Sequence, residues 1–257
     1  MPAKEVFGSR VVLVRVAPTE VIVVAGSMQM TSTDAALVVV GGVDPDLGLL
    51  ADLADSASLV VAADSGAVHA AAAGCRIDIA VGDFDSISPS VLDRLIEDGV
   101  RLERHPVDKD ATDLELAIDV AVREGSKRVI VIAGHGGRVD QSVANVLIIA
   151  SRNYAMIEMH AVLDAALVSV VHGGGELTIE GRPGDTVTIL PIHGDAEGVR
   201  TDGLEYPLVG ETLPAGTTRG VSNVLSGTAA RVGLGAGTVL VVRPGPEVFE
   251  LDQGEVT

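Results

Sequence analysis

The chain has 257 residues, enough for one large domain or two modest ones, each with its own core. Its apolar fraction is 47% and its aromatic fraction 2%, the profile of a soluble α/β protein with few rings to stack on a ligand. The formal charge of −18 repels nucleic acid and anionic membranes and suits cationic small molecules or metal ions, although an acid-rich proteome would produce the same charge.

The N-terminal stretch 1–33 is apolar in part but carries no recognisable chemistry. Two valine-rich runs, 11–16 and 21–25, are compatible with an added hairpin, a flexible extension or sequence upstream of the true start. Arg15 and Glu20 interrupt this stretch, so we expect neither a signal peptide nor a membrane span. Cys75 is the one cysteine, which excludes an intrachain disulfide and favours a reducing cytoplasm.

Strands and helices alternate from Ala35 onward. Apolar runs predict strands, and runs with 3/4 spacing predict helices. The predicted elements are a strand at 35–40, a helix at 45–56, a strand at 59–63, a helix ending near 74, a strand at 77–81, a helix at 89–98, a short strand at 100–103, a helix from 113, a strand at 129–133 and a helix in the 140s.

An acidic pair follows the strand at 77–81. Gly82 ends the strand, and Asp83 and Asp85 then flank Phe84, a spacing that in extended backbone puts both carboxylates on one side. Two like charges this close repel each other, so a cation between them is expected, and Mg²⁺ is the first candidate. The alternative is an acidic turn in water.

A second acidic stretch runs from Asp108 to Glu115 and contains Lys109, Asp110, Thr112 and Asp113. Thr112 and Glu115 have the spacing of a capping box, which predicts that a helix begins at Asp113. Acids at a helix N-terminus are favourable to its dipole, but that explanation does not require Lys109 or the additional acids.

A glycine-rich turn follows the strand at 129–133. Gly136 and Gly137 precede Arg138, a combination of backbone N–H groups and a guanidinium that suits phosphate. On the following helix Asn145 lies one turn beyond Gln141.

These polar groups all follow strands of one predicted sheet. The alternating pattern implies a mostly parallel sheet with helices on both faces, and ligands bind beyond the carboxyl ends of such strands. Acids far apart in sequence are therefore expected to converge. After Gly175 short alternating runs predict a smaller all-β sandwich or barrel. We divide the chain into an extension at 1–33, an α/β catalytic domain at 34–178 and a β-domain at 179–257.

With these motifs in view, the sequence resembles the thiamine pyrophosphokinase family. The matching pieces lie in family order and are 63–67 (Ala-Asp-Ser-Gly-Ala), 82–86 (Gly-Asp-Phe-Asp-Ser), 108–115 (Asp-Lys-Asp-Ala-Thr-Asp-Leu-Glu), 136–140 (Gly-Gly-Arg-Val-Asp), 203–208 (Gly-Leu-Glu-Tyr-Pro-Leu) and 220–223 (Gly-Val-Ser-Asn).

The resemblance implies transfer of a diphosphate from ATP to thiamine, in a homodimer whose active sites lie between the catalytic domain of one subunit and the β-domain of the other. It implies Mg²⁺ and phosphate binding by Asp83, Asp85, Asp110 and Asp113. For stabilising charge on the transferring or leaving oxygens we select Lys109 and Arg138. The nucleotide and its ion would further contact Asp64, Ser65, Gly82, Ser86, Thr112, Gly136, Gly137, Asp140, Gln141 and Asn145. Ser222 and Asn223 would line the thiamine pocket.

Three departures from the family concern the acceptor. Gln141 stands where the family usually has His and cannot titrate, the chain has no Trp to stack on thiamine, and Ser65 replaces the commoner Gly. The alternatives are a pyrophosphokinase of the same fold acting on another acceptor, such as a hydroxymethylpterin, a non-catalytic thiamine- or nucleotide-binding module, and a Mg²⁺-dependent phosphohydrolase.

Overall fold

A computed structural model describes residues 11–16, 19–24, 27–30, 34–42, 45–133 and 138–244 of the chain, and for residues 11–30 it describes the backbone. The strands of these residues are β1 (Val11–Val16), β2 (Thr19–Val24), β3 (Ser27–Met30), β4 (Ala35–Val40), β5 (Leu59–Ala63), β6 (Ile79–Gly82), β7 (Arg101–Arg104), β8 (Arg128–Ala133), β9 (Glu158–Leu163), β10 (Ala166–His172), β11 (Glu176–Glu180), β12 (Thr186–Pro191), β13 (Ala196–Asp202), β14 (Val209–Leu213), β15 (Asn223–Val224), β16 (Ala229–Gly233) and β17 (Thr238–Arg243). The helices are α1 (Leu47–Ser56), α2 (Gly66–Ala72), α3 (Pro89–Glu97), α4 (Asp113–Arg123) and α5 (Val139–Ile149), with a 3₁₀ turn at Arg152–Tyr154.

Most of the predicted elements of the first half are found with bounds shifted by at most two residues. Strand β5 has the bounds that its apolar run predicts, and α4 begins at Asp113 behind the cap Thr112, whose hydroxyl accepts from Glu115 N at 3.2 Å. Helix α1 begins at Leu47, because Asp46 caps it by accepting from the backbone N–H of Gly48 and Leu49.

The central sheet has ten strands in the order β15-β12-β17-β10-β9-β8-β4-β5-β6-β7. Strands β4 to β9 are mutually parallel, which confirms the mostly parallel sheet. Strands β10, β17, β12 and β15 continue the same sheet in antiparallel fashion. The order places the carboxyl ends of β4, β5 and β6 side by side.

Helices cover both faces of the parallel part, as the pattern predicts. Alternate residues of β4 belong to opposite cores: Leu37 packs with Leu50 and Leu53 of α1, whereas Val38 packs with Ile118 of α4. This alternation is what a strand buried on both faces requires.

The all-β half is a sandwich, as expected, but it shares a sheet with the α/β half. A second sheet of seven strands, in the order β14-β13-β16-β11-β1-β2-β3, packs one face against β10, β12 and β17. Part of the N-terminal stretch joins this sheet, since β1 pairs antiparallel with both β2 and β11. No helix among the described residues is long and apolar enough to span a membrane.

Candidate active site

A cavity of about 430 Å³ lies beyond the carboxyl ends of β4, β5 and β6. Its walls come from the ends of these strands, the segment leading into α4, and the first two turns of α5. The lining residues are Val40, Gly41, Gly42, Ala63, Asp64, Ser65, Asp83, Val107, Lys109, Ala111, Thr112, Asp113, Leu114, Arg138, Gln141, Ser142 and Asn145. The crevice expected at this edge of the sheet is therefore present.

Three carboxylates meet at the edge of this cavity. One oxygen from each of Asp64, Asp83 and Asp85 lies within 4.8 Å of the other two. Asp64 follows β5 in a left-handed conformation with φ of 44°, and Ser86 Oγ donates to its Oδ2 at 2.6 Å. The other oxygen, Oδ1, is buried and accepts no hydrogen bond from the described residues. Such an oxygen is available to a cation.

The segment 83–85 is a tight turn rather than the extended backbone that the spacing predicts. Phe84 has φ of 62°, and Asp85 N donates to Asp83 Oδ1 at 3.0 Å. The reason is the Phe84 side chain, which is buried in a small core with Ala62 and Ala80. Burial of the ring stabilises a backbone conformation that is otherwise unfavourable for a bulky residue.

The two acids of the turn have pKa values shifted in opposite directions. The hydrogen bond from Asp85 N, with help from Lys109, lowers the pKa of Asp83 below its ordinary value. The neighbouring Asp83 charge raises the pKa of the exposed Asp85 carboxyl. The turn thus holds like charges together, the situation in which a cation stabilises the pair.

Lys109 places an ammonium group between two of the acids. Its Nζ lies 2.9 Å from Asp113 Oδ1 and 3.3 Å from Asp83 Oδ2. Desolvation opposes the charge, but the hydrogen bonds to Asp113 and Asp83 outweigh it and raise the pKa of Lys109. The cavity therefore contains a fixed positive charge beside its carboxylates.

Gly82 leaves room for two of these acids. Its φ of 151° belongs to the region that favours glycine, and a Cβ there would lie 3.2 Å from both Asp113 Oδ1 and Asp64 Cβ. A larger residue at the end of β6 would push the carboxylates apart.

Helix α5 supplies the polar groups of the opposite wall. Arg138 donates from Nε and Nη2 to Asp140 at 2.8 and 2.5 Å, and this pairing lowers the pKa of Asp140 to about 2. Gln141 and Asn145 line the cavity on the same helix face, as their spacing predicts. Gly136 and Gly137 lie outside the described residues.

The remaining predicted residues divide into those near the cavity and those outside its lining. Ser65 and Thr112 line it, while Ser86 acts through its hydrogen bond to Asp64. Asp110 is exposed and is not among the lining residues, although it is predicted above to be a metal ligand together with Asp83, Asp85 and Asp113. The cluster that the structure brings together contains Asp64 instead.

Ser222 and Asn223 lie in the sandwich and do not line this cavity. Ser222 is exposed, with φ of 57°, whereas Asn223 is 5% exposed. The Asn223 side chain accepts from Tyr206 N and Val224 N and donates to Tyr206 O at 2.7 Å. Asn223 therefore fixes the turn at 203–208 from within the chain.

Sequence reasoning missed one contact that shapes the cavity. His69 Nε2 lies 2.9 Å from Gly42 O and ties α2 to the turn after β4. No local signal identifies it, because the pairing joins residues 27 positions apart.

Comparison with known proteins assigns this architecture. Residues 50–160 match the family model for the thiamin pyrophosphokinase catalytic domain, and residues 176–239 match the model for the thiamin pyrophosphokinase vitamin B1 binding domain. The chain belongs to the thiamin pyrophosphokinase family. It is accordingly an ATP-dependent diphosphotransferase.

Individual relatives agree with the family models. The thiamine pyrophosphokinase of Bacillus subtilis is 26% identical over 207 residues, which cover 80% of this chain and 96% of that protein. The crystal structure of thiamine pyrophosphokinase from Bacillus subtilis shares the fold with a TM-score of 0.70 at 24% identity, covering 82% of this chain and 99% of that one. The structure of thiamin pyrophosphokinase from Candida albicans has a TM-score of 0.65 at 18% identity, covering 85% and 93%.

Proposed function

We propose that this thiamin pyrophosphokinase family member transfers the diphosphate of ATP to the hydroxyl of thiamine, releasing AMP, with ATP bound in the cavity beside Asp64, Asp83 and Asp85. The observation that carries the proposal is the meeting of these three carboxylates with the Lys109 ammonium at one cavity. Acids and a cation in one small volume suit a metal-bound triphosphate.

The carboxylate cluster fits Mg²⁺. Its donors are all oxygen, and Asp64 Oδ1 is buried without a hydrogen-bond partner among the described residues. The residues that would hold the ion are thus Asp64, Asp83 and Asp85. Bound there, Mg²⁺ would supply charge neutralisation at the phosphates.

The chain's own residues then orient the transfer. The thiamine hydroxyl oxygen bonds to the β-phosphorus, and the bond from that phosphorus to the oxygen bridging the α-phosphate breaks. Lys109 and Arg138 stabilise charge on the oxygens around the reacting phosphorus. Since Gln141 cannot titrate, a carboxylate of the cluster accepts the hydroxyl proton.

Tyr206 is the aromatic residue best placed to meet thiamine. The other aromatic side chains of the described residues, Phe84 and Tyr154, are buried, whereas Tyr206 is 64% exposed. Asn223 anchors the backbone of Tyr206 through two hydrogen bonds, accepting from Tyr206 N and donating to Tyr206 O. A fixed, exposed ring suits a cationic heterocycle through its π face.

The active form that we propose is a homodimer with the site completed by the partner's sandwich. Helix α5 exposes Val139, Val143 and Leu147 at four-residue intervals beside the cavity, and the sandwich exposes Tyr206 and Val209. Contact between such faces would bring acceptor and ATP together. Light scattering measures the mass of the wild type, which we expect to be that of a dimer. The Val143→Glu variant is expected to be a monomer and to have no thiamine turnover.

The reaction is tested by chromatography of nucleotides after incubating the protein with ATP and Mg²⁺, with and without thiamine. AMP formed in step with thiamine diphosphate is the expected result. AMP formed only with a hydroxymethylpterin would show that the acceptor is the pterin and not thiamine. Folded protein that forms no AMP with either acceptor would contradict the proposal, and inorganic phosphate released without an acceptor would indicate a hydrolase.

We expect the reaction to take place in the cytoplasm, since a chain whose one cysteine is Cys75 needs no oxidising compartment for its own disulfides.

A further inference from the structure

Lys109 and the metal cluster share one carboxylate. Asp83 belongs to the cluster in which carboxylate oxygens of Asp64, Asp83 and Asp85 lie within 4.8 Å of one another. Its Oδ2 also lies 3.3 Å from Lys109 Nζ. The Lys109 side chain is 14% exposed and its ammonium contacts two carboxylates, so its charge is neutralised mainly by protein groups. A divalent cation arriving at Asp83 therefore meets a positive charge already in contact with that residue.

Asp113 has a different position from the other acids of the cavity. It is absent from the group formed by Asp64, Asp83 and Asp85 among the described residues. Its Oδ1 is a buried atom that lies 2.9 Å from Lys109 Nζ and next to Gly82. Lys109 is therefore the charged partner of this oxygen, although the oxygen accepts no hydrogen bond from the described residues.

The backbone around Asp113 fixes this arrangement. Asp113 is the first residue of α4, and the Thr112 cap sets the start of the helix. Lys109 precedes it by four residues, so the ion pair closes the short segment that leads into the helix. Lys109 therefore has one contact at the cavity, with Asp113, that does not involve Asp83.

We propose that Asp113 is a positioning residue that holds Lys109 at the cavity, and that Lys109 occupies Asp83 until a divalent cation displaces it. This inference rests on the proposed function. When the cation engages Asp83, Asp113 still retains the ammonium, which then faces the phosphates of ATP. The sequence-based assignment of Asp113 as a metal ligand is replaced by a role acting through Lys109.

The test is calorimetric titration of the full chain with Mg²⁺, without nucleotide, in the variants D83N, D113N, K109M and D113N/K109M. D93N is the matched control, because it removes an exposed carboxylate on α3. We expect D113N to bind Mg²⁺ within about threefold of wild type and D83N to bind it at least about tenfold more weakly. K109M is expected to bind it more tightly, because the competing charge at Asp83 is gone.

Turnover provides a second readout in the form of a double-mutant cycle. D113N lowers kcat in the wild-type background and has no further effect in K109M, since Asp113 acts through Lys109. D113E, which keeps a carboxylate, recovers part of kcat, and the Mg²⁺ affinity that D113N retains shows that the D113N protein is folded.

Loss of Mg²⁺ affinity in D113N to the same extent as in D83N would overturn the inference. A further loss of kcat when D113N is added to K109M would also overturn it. Failure of the proposed function gives a different result: wild-type protein forms no AMP with thiamine, whatever the titrations show.

Discussion

The cavity and the sandwich both contain residues of the family motifs, but they use their polar groups differently. At the cavity, Asp64 Oδ1 is buried without a partner among the described residues, and Asp83 and Asp85 are held together despite their like charge. In the sandwich, the Asn223 amide is satisfied by the backbone of Tyr206 and Val224.

The difference separates chemistry from scaffolding. Polar groups left unsatisfied by the fold reduce stability and are retained where a ligand completes them. Polar groups that the fold itself satisfies stabilise a particular backbone shape. Motif membership alone does not distinguish the two, whereas the hydrogen-bond partners do.

The largest effect is expected at the cavity. Asp64→Asn should lower kcat about 100-fold or more, because it removes a carboxylate of the cluster. The free energy of unfolding should stay the same or rise, since Asn tolerates the left-handed φ of 44° and no longer buries an unpaired charge. AMP formation and urea unfolding measure the two quantities, with Asp93→Asn as the control.

The opposite pattern is expected in the sandwich. Asn223→Ala removes the partners of Tyr206 N, Tyr206 O and Val224 N, which should lower the free energy of unfolding by about 2–3 kcal/mol. The remaining folded protein should keep most of its kcat. An inactive Asn223→Ala protein with wild-type unfolding would show that the amide serves a ligand.

A third region sharpens the comparison, because its charged groups pair with one another even though Arg128 Nε and Nη1 have no hydrogen-bond partner among the described residues. Glu158 Oε2 lies 2.6 Å from the buried Arg128, and Glu158 Oε1 lies 3.1 Å from His160 Nε2. Glu158→Gln should destabilise the protein by about 2 kcal/mol at pH 7. Unfolding monitored across pH measures the effect.

The pH dependence of this effect has a defined sign. Burial opposes the charge, but the hydrogen bonds from His160 and Arg128 hold the pKa of Glu158 below its ordinary value of 4.5. A carboxylate whose pKa is lowered by folding stabilises the protein at pH values above its pKa in the unfolded state. This stabilisation is lost as the pH falls through its pKa in the folded state. The difference in the free energy of unfolding between wild type and Glu158→Gln should therefore become smaller below about pH 4. A gap that widens on acidification would contradict this account.

The smallest effect is expected at the exposed ring. Tyr206→Ala should raise KM for thiamine about fivefold with little change in kcat, because a cation–π contact at an exposed site contributes about 1 kcal/mol. Tyr206→Phe keeps the ring and should resemble wild type. An unchanged KM in Tyr206→Ala would remove Tyr206 from the acceptor site.

Local patterns in the sequence predict much of the fold. The apolar run of β5 and the cap at Thr112 depend on neighbouring residues, and both are found as predicted. The continuation of the central sheet from β10 into β17 and β12 is not predicted, because antiparallel pairing between Leu167 and Arg243 joins positions distant in sequence. Such pairings leave no short-range pattern.

The site is less predictable than the sheet. Convergence at the carboxyl ends follows from the parallel order, but membership of the acidic cluster depends on backbone conformation. Asp64 joins it through a left-handed φ and Phe84 bends the turn between Asp83 and Asp85, while Asp110 lies exposed outside the cavity lining. The placement of the Asp83 and Asp85 carboxylates follows from burial of Phe84 between them, which spacing does not encode.

The ten-stranded sheet has a consequence for whether the two halves of the chain can fold and unfold separately. The two family models divide the chain between residues 160 and 176, but β9, β10 and β17 form one hydrogen-bonded ladder across that division. A chain cut there would leave β10 with an open edge and an apolar face without its covering layer. We therefore expect the two halves to unfold as one cooperative unit rather than as separately transferable modules.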